Sequence, residues 1–234
     1  MIRRTLISLV LTAAVYASGT TARAAPPASQ PAAFEAQLAA IDALAAKVES
    51  LEARFTQVKQ SPLVVDPIRS GGTVRAVGSV AVWEAKNPQP ITTRIEGGKL
   101  EIYYPNARQL EVYDLKGDTA ALTASPLPRL EALKKAFSIA PDAGQGLPDF
   151  GPAKTLAVRL TPLDPALGKY VDHVRVVLDV DRGLVLYFEL IDPDDETTAT
   201  RFEDIRTDTK LTPADLQLKL PADVKTVRPA EKLR

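Results

Sequence analysis

From Thr73 onward, apolar residues recur at every second position in short runs joined by tight turns. That pattern restricts the chain to antiparallel sheet, because parallel neighbours need a long crossover between them. Val74, Ala76, Gly78, Val80 and Val82 alternate first. Residues 91–95 and 100–104 then flank Glu96-Gly97-Gly98-Lys99, whose glycines permit the positive φ of a hairpin turn. Pro105-Asn106 turns the chain into a strand at 109–115. A second set follows at 155–162, 171–180, 184–191 and 197–206, with a last strand expected at 216–220. Asp181-Arg182-Gly183 and Asp192-Pro193-Asp194-Asp195-Glu196 are its turns.

The faces of these strands differ. Leu100, Ile102 and Tyr104 share one face, as do Leu110 and Val112, then Leu156, Val158 and Leu160. Val174, Val176, Leu178 and Val180 repeat the pattern, as do Leu184, Leu186, Phe188 and Leu190. The opposite positions hold Glu101, Gln109, Glu111, Arg159, Arg175, Asp179 and Glu189, which describes a sheet with one dry and one wet face.

The dry face needs a cover, and two stretches have helical spacing. Phe34, Leu38, Ile41, Leu44, Val48, Leu51 and Phe55 form one stripe, read as a single long helix. Leu127, Leu130, Leu133 and Phe137 form a second, entered through Pro126 and Pro128 and ending before Pro141. Pro67 with Gly71-Gly72 reads as irregular chain, and residues 140–153 as a surface loop. The expected fold is α+β: one domain, a strongly curved antiparallel sheet, and helices lidding its concave apolar face. Patterning leaves open whether that face is a packed core or a cavity for a greasy ligand.

Composition narrows the function. The 234 residues carry 29 basic and 29 acidic side chains, one histidine and no cysteine. Disulfides and thiolate chemistry are excluded, and the balanced charge lacks the basic stripe that nucleic acid requires. The first 24 residues have the three parts of a secretory signal: Arg3 and Arg4, an apolar stretch from Thr5 to Ala17, and Ala22-Arg23-Ala24 for cleavage near Ala24. That stretch falls short of the roughly 20 residues of a membrane span. Residues 25–32 read as a flexible leader, 33–228 as the domain and 229–234 as a polar tail. No cysteine follows the cleavage site to take a lipid anchor, so the expected product is soluble and periplasmic.

Several motifs fall in a recognisable order. Phe55-Thr56-Gln57 precedes Pro67-Ile68-Arg69-Ser70-Gly71-Gly72, then come Trp83, Pro88 and Gly97-Gly98 before an Ile102-Tyr103-Tyr104-Pro105 strand. Tyr113, Leu160-Thr161-Pro162 and Phe202-Glu203-Asp204-Ile205-Arg206 complete the set. The arrangement resembles the outer-membrane lipoprotein carrier family of LolA-like proteins, and its Pro-x-x-Ser-Gly segment is similar to a divergent branch beside lipid and glycolipid export systems.

The resemblance implies an incomplete β-barrel, lidded by helices, that binds acyl chains on its concave side. It implies lipoprotein acyl chains or lipid as cargo, an inner-membrane transporter as donor and an outer-membrane acceptor. It implies neither cofactor nor catalysis, and a carrier working as a monomer. The corresponding cavity and lid residues are Trp83, Leu100, Ile102, Tyr104, Leu110, Val112, Leu130, Leu133, Phe137, Val176, Leu178, Leu186 and Phe188. One departure stands out: the family's lid-gating Arg before the Trp is Val82 here, leaving Arg75 and Arg94 as candidates to replace it. An acyl-chain-binding envelope sensor on the same scaffold is the alternative to a shuttle.

Other chemistry is thin. His173 lies between Asp172 and Val174 on a polar face and reads as a solvated histidine. Asp192-Pro193-Asp194-Asp195-Glu196 lacks the glycine and ligand spacing of a calcium loop, and none of Ser61, Ser70 and Ser79 sits in a Gly-x-Ser-x-Gly turn. Neither a metal site nor an enzyme is expected.

Overall fold

A computed structural model describes residues 30–63, 65–114, 127 and 130–229. Its described residues form one sheet of twelve strands: β1 (Ser50–Gln60), β2 (Ile68–Val77), β3 (Val80–Asn87), β4 (Ile91–Glu96), β5 (Lys99–Tyr104), β6 (Gln109–Asp114), β7 (Phe137–Pro141), β8 (Thr155–Pro162), β9 (His173–Asp179), β10 (Leu184–Ile191), β11 (Thr197–Thr207) and β12 (Lys225–Val227). The spatial order is β12-β6-β5-β4-β3-β2-β1-β11-β10-β9-β8-β7. Every pairing is antiparallel except β12 with β6, and the two edges do not meet. The sheet is thus the unclosed, curved one expected.

The first helix, α1 (Gln30–Ala45), starts inside the expected leader and stops well short of Phe55. The stripe that reads as one long helix is divided between two elements. Leu51, Ala53 and Phe55 belong to β1 and alternate inward, with relative exposures of 0%, 2% and 5%. The second helix, α2 (Leu130–Leu133), is a single turn, and Phe137 opens edge strand β7 instead of extending it. Pro141 is tolerated there because an edge strand leaves one row of N–H groups unpaired.

Gly71 and Gly72 lie within β2, at a register shift against β3, not in irregular chain. A Cβ on Gly72 would fall 1.8 Å from the Glu84 carbonyl oxygen, so the bulge admits only glycine. The expected strand at 216–220 is also absent. Pro213–Leu216 makes a 3-10 turn, and the chain pairs only later, as β12.

Leu38 and Ile41, both 0% exposed, insert from α1 into one apolar cluster with Phe55, Val74, Phe137, Leu160, Leu178 and Phe202. Burial of each such apolar side chain stabilises by about 2–3 kcal/mol. A 16-residue helix spans about 24 Å, enough to lie along the hollow of the sheet.

Candidate ligand-binding site

The cover over the concave face is tied within itself by polar bonds. The Leu130 backbone N–H donates to Asp42 Oδ1 at 2.8 Å, joining α2 to α1. Lys134 Nζ donates to Glu35 Oε2 and Glu131 Oε1, each at 2.9 Å, and both carboxylates hold the amine above its ordinary pKa. Toward the sheet the same helices present Phe34, Leu38, Ile41, Leu130 and Leu133 to the apolar cluster. Among the described residues, no hydrogen bond or ion pair links α1 to the sheet.

At the floor of that seam stand four aromatic rings. Phe55 and Trp83 meet edge-on with centroids 5.0 Å apart, Trp83 and Phe202 lie at 5.6 Å, and Phe202 and Phe188 at 6.0 Å. The indole Nε1 of Trp83 is buried and has no hydrogen-bond partner. In the sequence Phe202 was legible only as a motif residue, and Phe55 as a motif residue and the end of a helical stripe. Their place on the floor follows from the Phe55↔Phe202 register of β1 with β11, which sequence alone does not supply.

A cleft of about 580 Å³ opens at one end of the seam, bounded by Asp42, Ala45 and Val48, by Val77 at the β2–β3 turn, and by Leu127 and Glu131. This is within the range of roughly 300–1,000 Å³ typical of small-ligand pockets. None of the thirteen sequence-derived cavity residues lines it.

The structure brings most of those thirteen to the concave side and removes others. Leu130, Phe137, Val176 and Leu178 are buried in the central cluster, with Trp83, Leu133 and Phe188 packed against it. Leu100, Ile102 and Tyr104 share the inner face of β5 by register with Ile95, Thr93 and Gln109, and are partly exposed. That edge of the face is polar: Glu111 accepts from Tyr113 Oη at 2.8 Å and Gln109 Nε2 at 2.8 Å.

Leu110 and Val112 are corrections. Their partners across the register are Tyr103 and Glu101, so they occupy the outer face, where Tyr103, Leu218 and Val224 cover them. Leu186 is another. A register shift between Val185 and Tyr187 turns Val185 into the core in its place, although Leu186 is buried at 7%.

Neither candidate for the missing gating arginine faces the lid. Val82 itself packs outward with Val80 and Leu216. Arg94, with a side chain 9% exposed, donates to the Leu216 carbonyl at 3.0 Å and Glu101 at 2.9 Å, and pairs with Glu96. Arg75 pairs with Glu84 at 2.9 Å on the same outer face. The segment after β11 therefore straps the back of the sheet, and Arg94 holds it through the Leu216 carbonyl.

On the back of the other half, Arg175 grips Asp142 with two hydrogen bonds of 3.0 Å and donates to the Gln145 carbonyl. Arg201 lies 4.6 Å from the ring centre of Phe150. The 142–153 loop thereby covers strands whose outer positions include the buried Tyr187 and Val177. His173 Nδ1 lies 2.6 Å from Asp172 Oδ2, and Asp192 caps its own hairpin by accepting from Asp194 and Glu196 N–H groups at 2.9 Å.

Exposed apolar side chains gather at one rim. The antiparallel order puts the β1–β2, β3–β4, β5–β6, β8–β9 and β10–β11 connections at the same end of the sheet. Leu63, Val65 and Ile68 of the first, and Leu163 and Tyr170 of the fourth, are 58–93% exposed there.

No protein-family model and no curated protein matches the chain. Among solved structures it is similar to an uncharacterized conserved protein from Thermus thermophilus, with a TM-score of 0.54 and 12% identity, covering 84% of this chain and 99% of that one. It is also similar to a LolA superfamily protein from Nitrosomonas europaea, with a TM-score of 0.43 and 9% identity over 79% and 97% of the two chains. The lipoprotein LppX of Mycobacterium tuberculosis matches with a TM-score of 0.43 and 11% identity over 79% and 99%. The likeness is one of fold.

Proposed function

We propose that the chain is a periplasmic carrier, not an enzyme. It would take the acyl chains of a lipoprotein between the helical cover and the concave face and ferry them from inner to outer membrane. The observation that carries this reading is the asymmetry of the seam. Polar bonds join α1 to α2, whereas α1 meets the sheet through apolar contacts. An acyl chain can replace such contacts one for one, since each buried CH₂ is worth about 0.8 kcal/mol wherever it is buried. Net affinity is then the difference between ligand–sheet and lid–sheet contacts, which keeps binding reversible.

Residues 1–24 act in this reading as the export signal, with a leader from 25 that gives way to α1 at Gln30; the domain then runs to 228, before a tail at 229–234. Leu130 and Leu133 move with the lid, whereas Trp83, Leu100, Ile102, Tyr104, Phe137, Val176, Leu178 and Phe188 belong to the sheet side. A donor transporter and an acceptor would meet the carrier at the apolar rim. A lipid or glycolipid would fit the same seam, as would the acyl chain read by a sensor.

Native mass spectrometry of the protein purified from periplasm without detergent, followed by extraction, tests the proposal. Bound acylated protein supports the lipoprotein shuttle, and free lipid or glycolipid alone moves the cargo to that class. An empty protein that also fails to take up a fluorescent fatty acid overturns the carrier reading.

A further inference from the structure

The carrier reading treats the concave face as hydrocarbon-binding, yet that face holds a buried polar atom that is left without a partner. Trp83 Nε1 is buried without an acceptor, although a buried indole N–H ordinarily finds one. The ring is fixed from two sides, by Phe55 at 5.0 Å and Phe202 at 5.6 Å, so the N–H does not turn freely toward a distant partner. The neighbours across the register on β2 and β4 are Val74 and Thr93. A tryptophan here keeps an unmet donor that a phenylalanine would not carry.

We infer that Trp83 Nε1 is the recognition donor for the acyl carbonyl of the cargo, the ester or amide oxygen that joins chain to headgroup. This rests on the carrier reading. The donor sits among aromatic rings on the floor of the seam, so an acyl group lying between α1 and the floor can place its carbonyl on it. The hydrocarbon then runs along the apolar strands. Such a donor selects acylated molecules over plain hydrocarbon, because only an acceptor relieves the buried N–H.

Trp83 is the only tryptophan of the chain, so its indole gives one resonance in a proton–nitrogen correlation spectrum. The full-length mature protein is titrated with methyl palmitate, with an N-palmitoyl dipeptide and with hexadecane. The expected result is a downfield indole proton shift with the two acyl compounds and none with hexadecane. The larger shift identifies ester-linked lipid or amide-linked protein as the better-seated source. Trp83→Phe is expected to weaken the acyl compounds by roughly fivefold more than it weakens hexadecane, the worth of one net hydrogen bond.

Binding of all three ligands with no indole shift overturns the role of Trp83 and leaves the carrier standing. An indole proton already downfield in the free protein, and unmoved by ligand, shows a resident acceptor and also overturns it. Failure of every ligand to bind removes both proposals. The wild-type titration decides the matter even if Trp83→Phe does not fold.

Discussion

Asp42 on α1 accepts the backbone N–H of Leu130 at 2.8 Å, and through this bond the single turn of α2 is held to a helix it follows by more than eighty residues. Four residues are too few to be helical by themselves, since nucleation costs more than one turn returns. The bond caps the first N–H of that turn and so selects its position. Asp42→Ala should lower global stability by about 1 kcal/mol. Hydrogen exchange at residues 130–133 should rise far more than in β9 or β10. Equal protection in both proteins would show that packing alone holds α2.

Gly183 supports the same C-terminal end of α1 from the sheet side. A Cβ there would lie 2.6 Å from Leu44 Cβ and 2.8 Å from both Ile41 O and Ala45 N, and its φ is +67°. Gly183→Ala combines a left-handed residue with a collision against helix backbone, and should cost about 2–4 kcal/mol. Gly97→Ala is the control: φ is +55° but the space is open, so about 1 kcal/mol is expected. Chemical denaturation of the two variants separates backbone strain from the helix contact. Similar losses would remove the contact from the account.

These two contacts also show what could be read from sequence. The strands at Thr155–Pro162 and Leu184–Ile191, and the turn at Gly97-Gly98, were legible because alternation and turn glycines are local signals. The border of α1 was not. Leu51 and Phe55 continue helical spacing from Leu44 and Val48, and they fit a period of two through Ala53 equally well. Only pairing with β2 and β11 resolves that ambiguity. Phe137 carried the same double reading, since it continues helical spacing from Leu133 and also begins a period of two with Ile139. The faces of Leu110 and Val112 were misjudged because both sides of β6 have a use: the outer side is dry where residues 211–224 cross it. A bulge displaced Leu186, and bulges leave little trace in hydropathy.

The strap on the outer face should detach when its arginine is removed. Arg94 has a side chain 9% exposed and is met by Glu101, Glu96 and the Leu216 carbonyl. Arg94→Met leaves two carboxylates that can still reach solvent, at 25% and 43% exposure. The loss should therefore be about 2 kcal/mol, below the roughly 3–5 kcal/mol of a fully buried broken pair. Limited proteolysis should cut within 211–224 before anywhere in β8–β11. Acyl-chain binding, which uses the other face, should be retained. A variant that resists cleavage as the wild type does would assign the strap to Leu216 and Leu218 alone.

Acid should loosen the loop on the back of the sheet through Asp142. Two hydrogen bonds from Arg175 hold its carboxyl at a pKa of about 2, against an ordinary value of 3.8, and the side chain is 5% exposed. A carboxyl lowered in the folded state binds its proton more readily when unfolded. Its contribution is complete above the ordinary value and fades as pH falls through about 2. The shift corresponds to about 2 kcal/mol. Urea unfolding of the wild type and Asp142→Asn should differ by about that much at pH 6, and the two curves should converge between pH 4 and pH 2. Glu196 and Asp215 are also lowered, by Lys59 and Thr212 respectively, but both lie at the solvated surface, so neither should contribute measurably. A wild-type advantage that persists unchanged at pH 2 would mean that the Asp142–Arg175 bond is not what holds the loop.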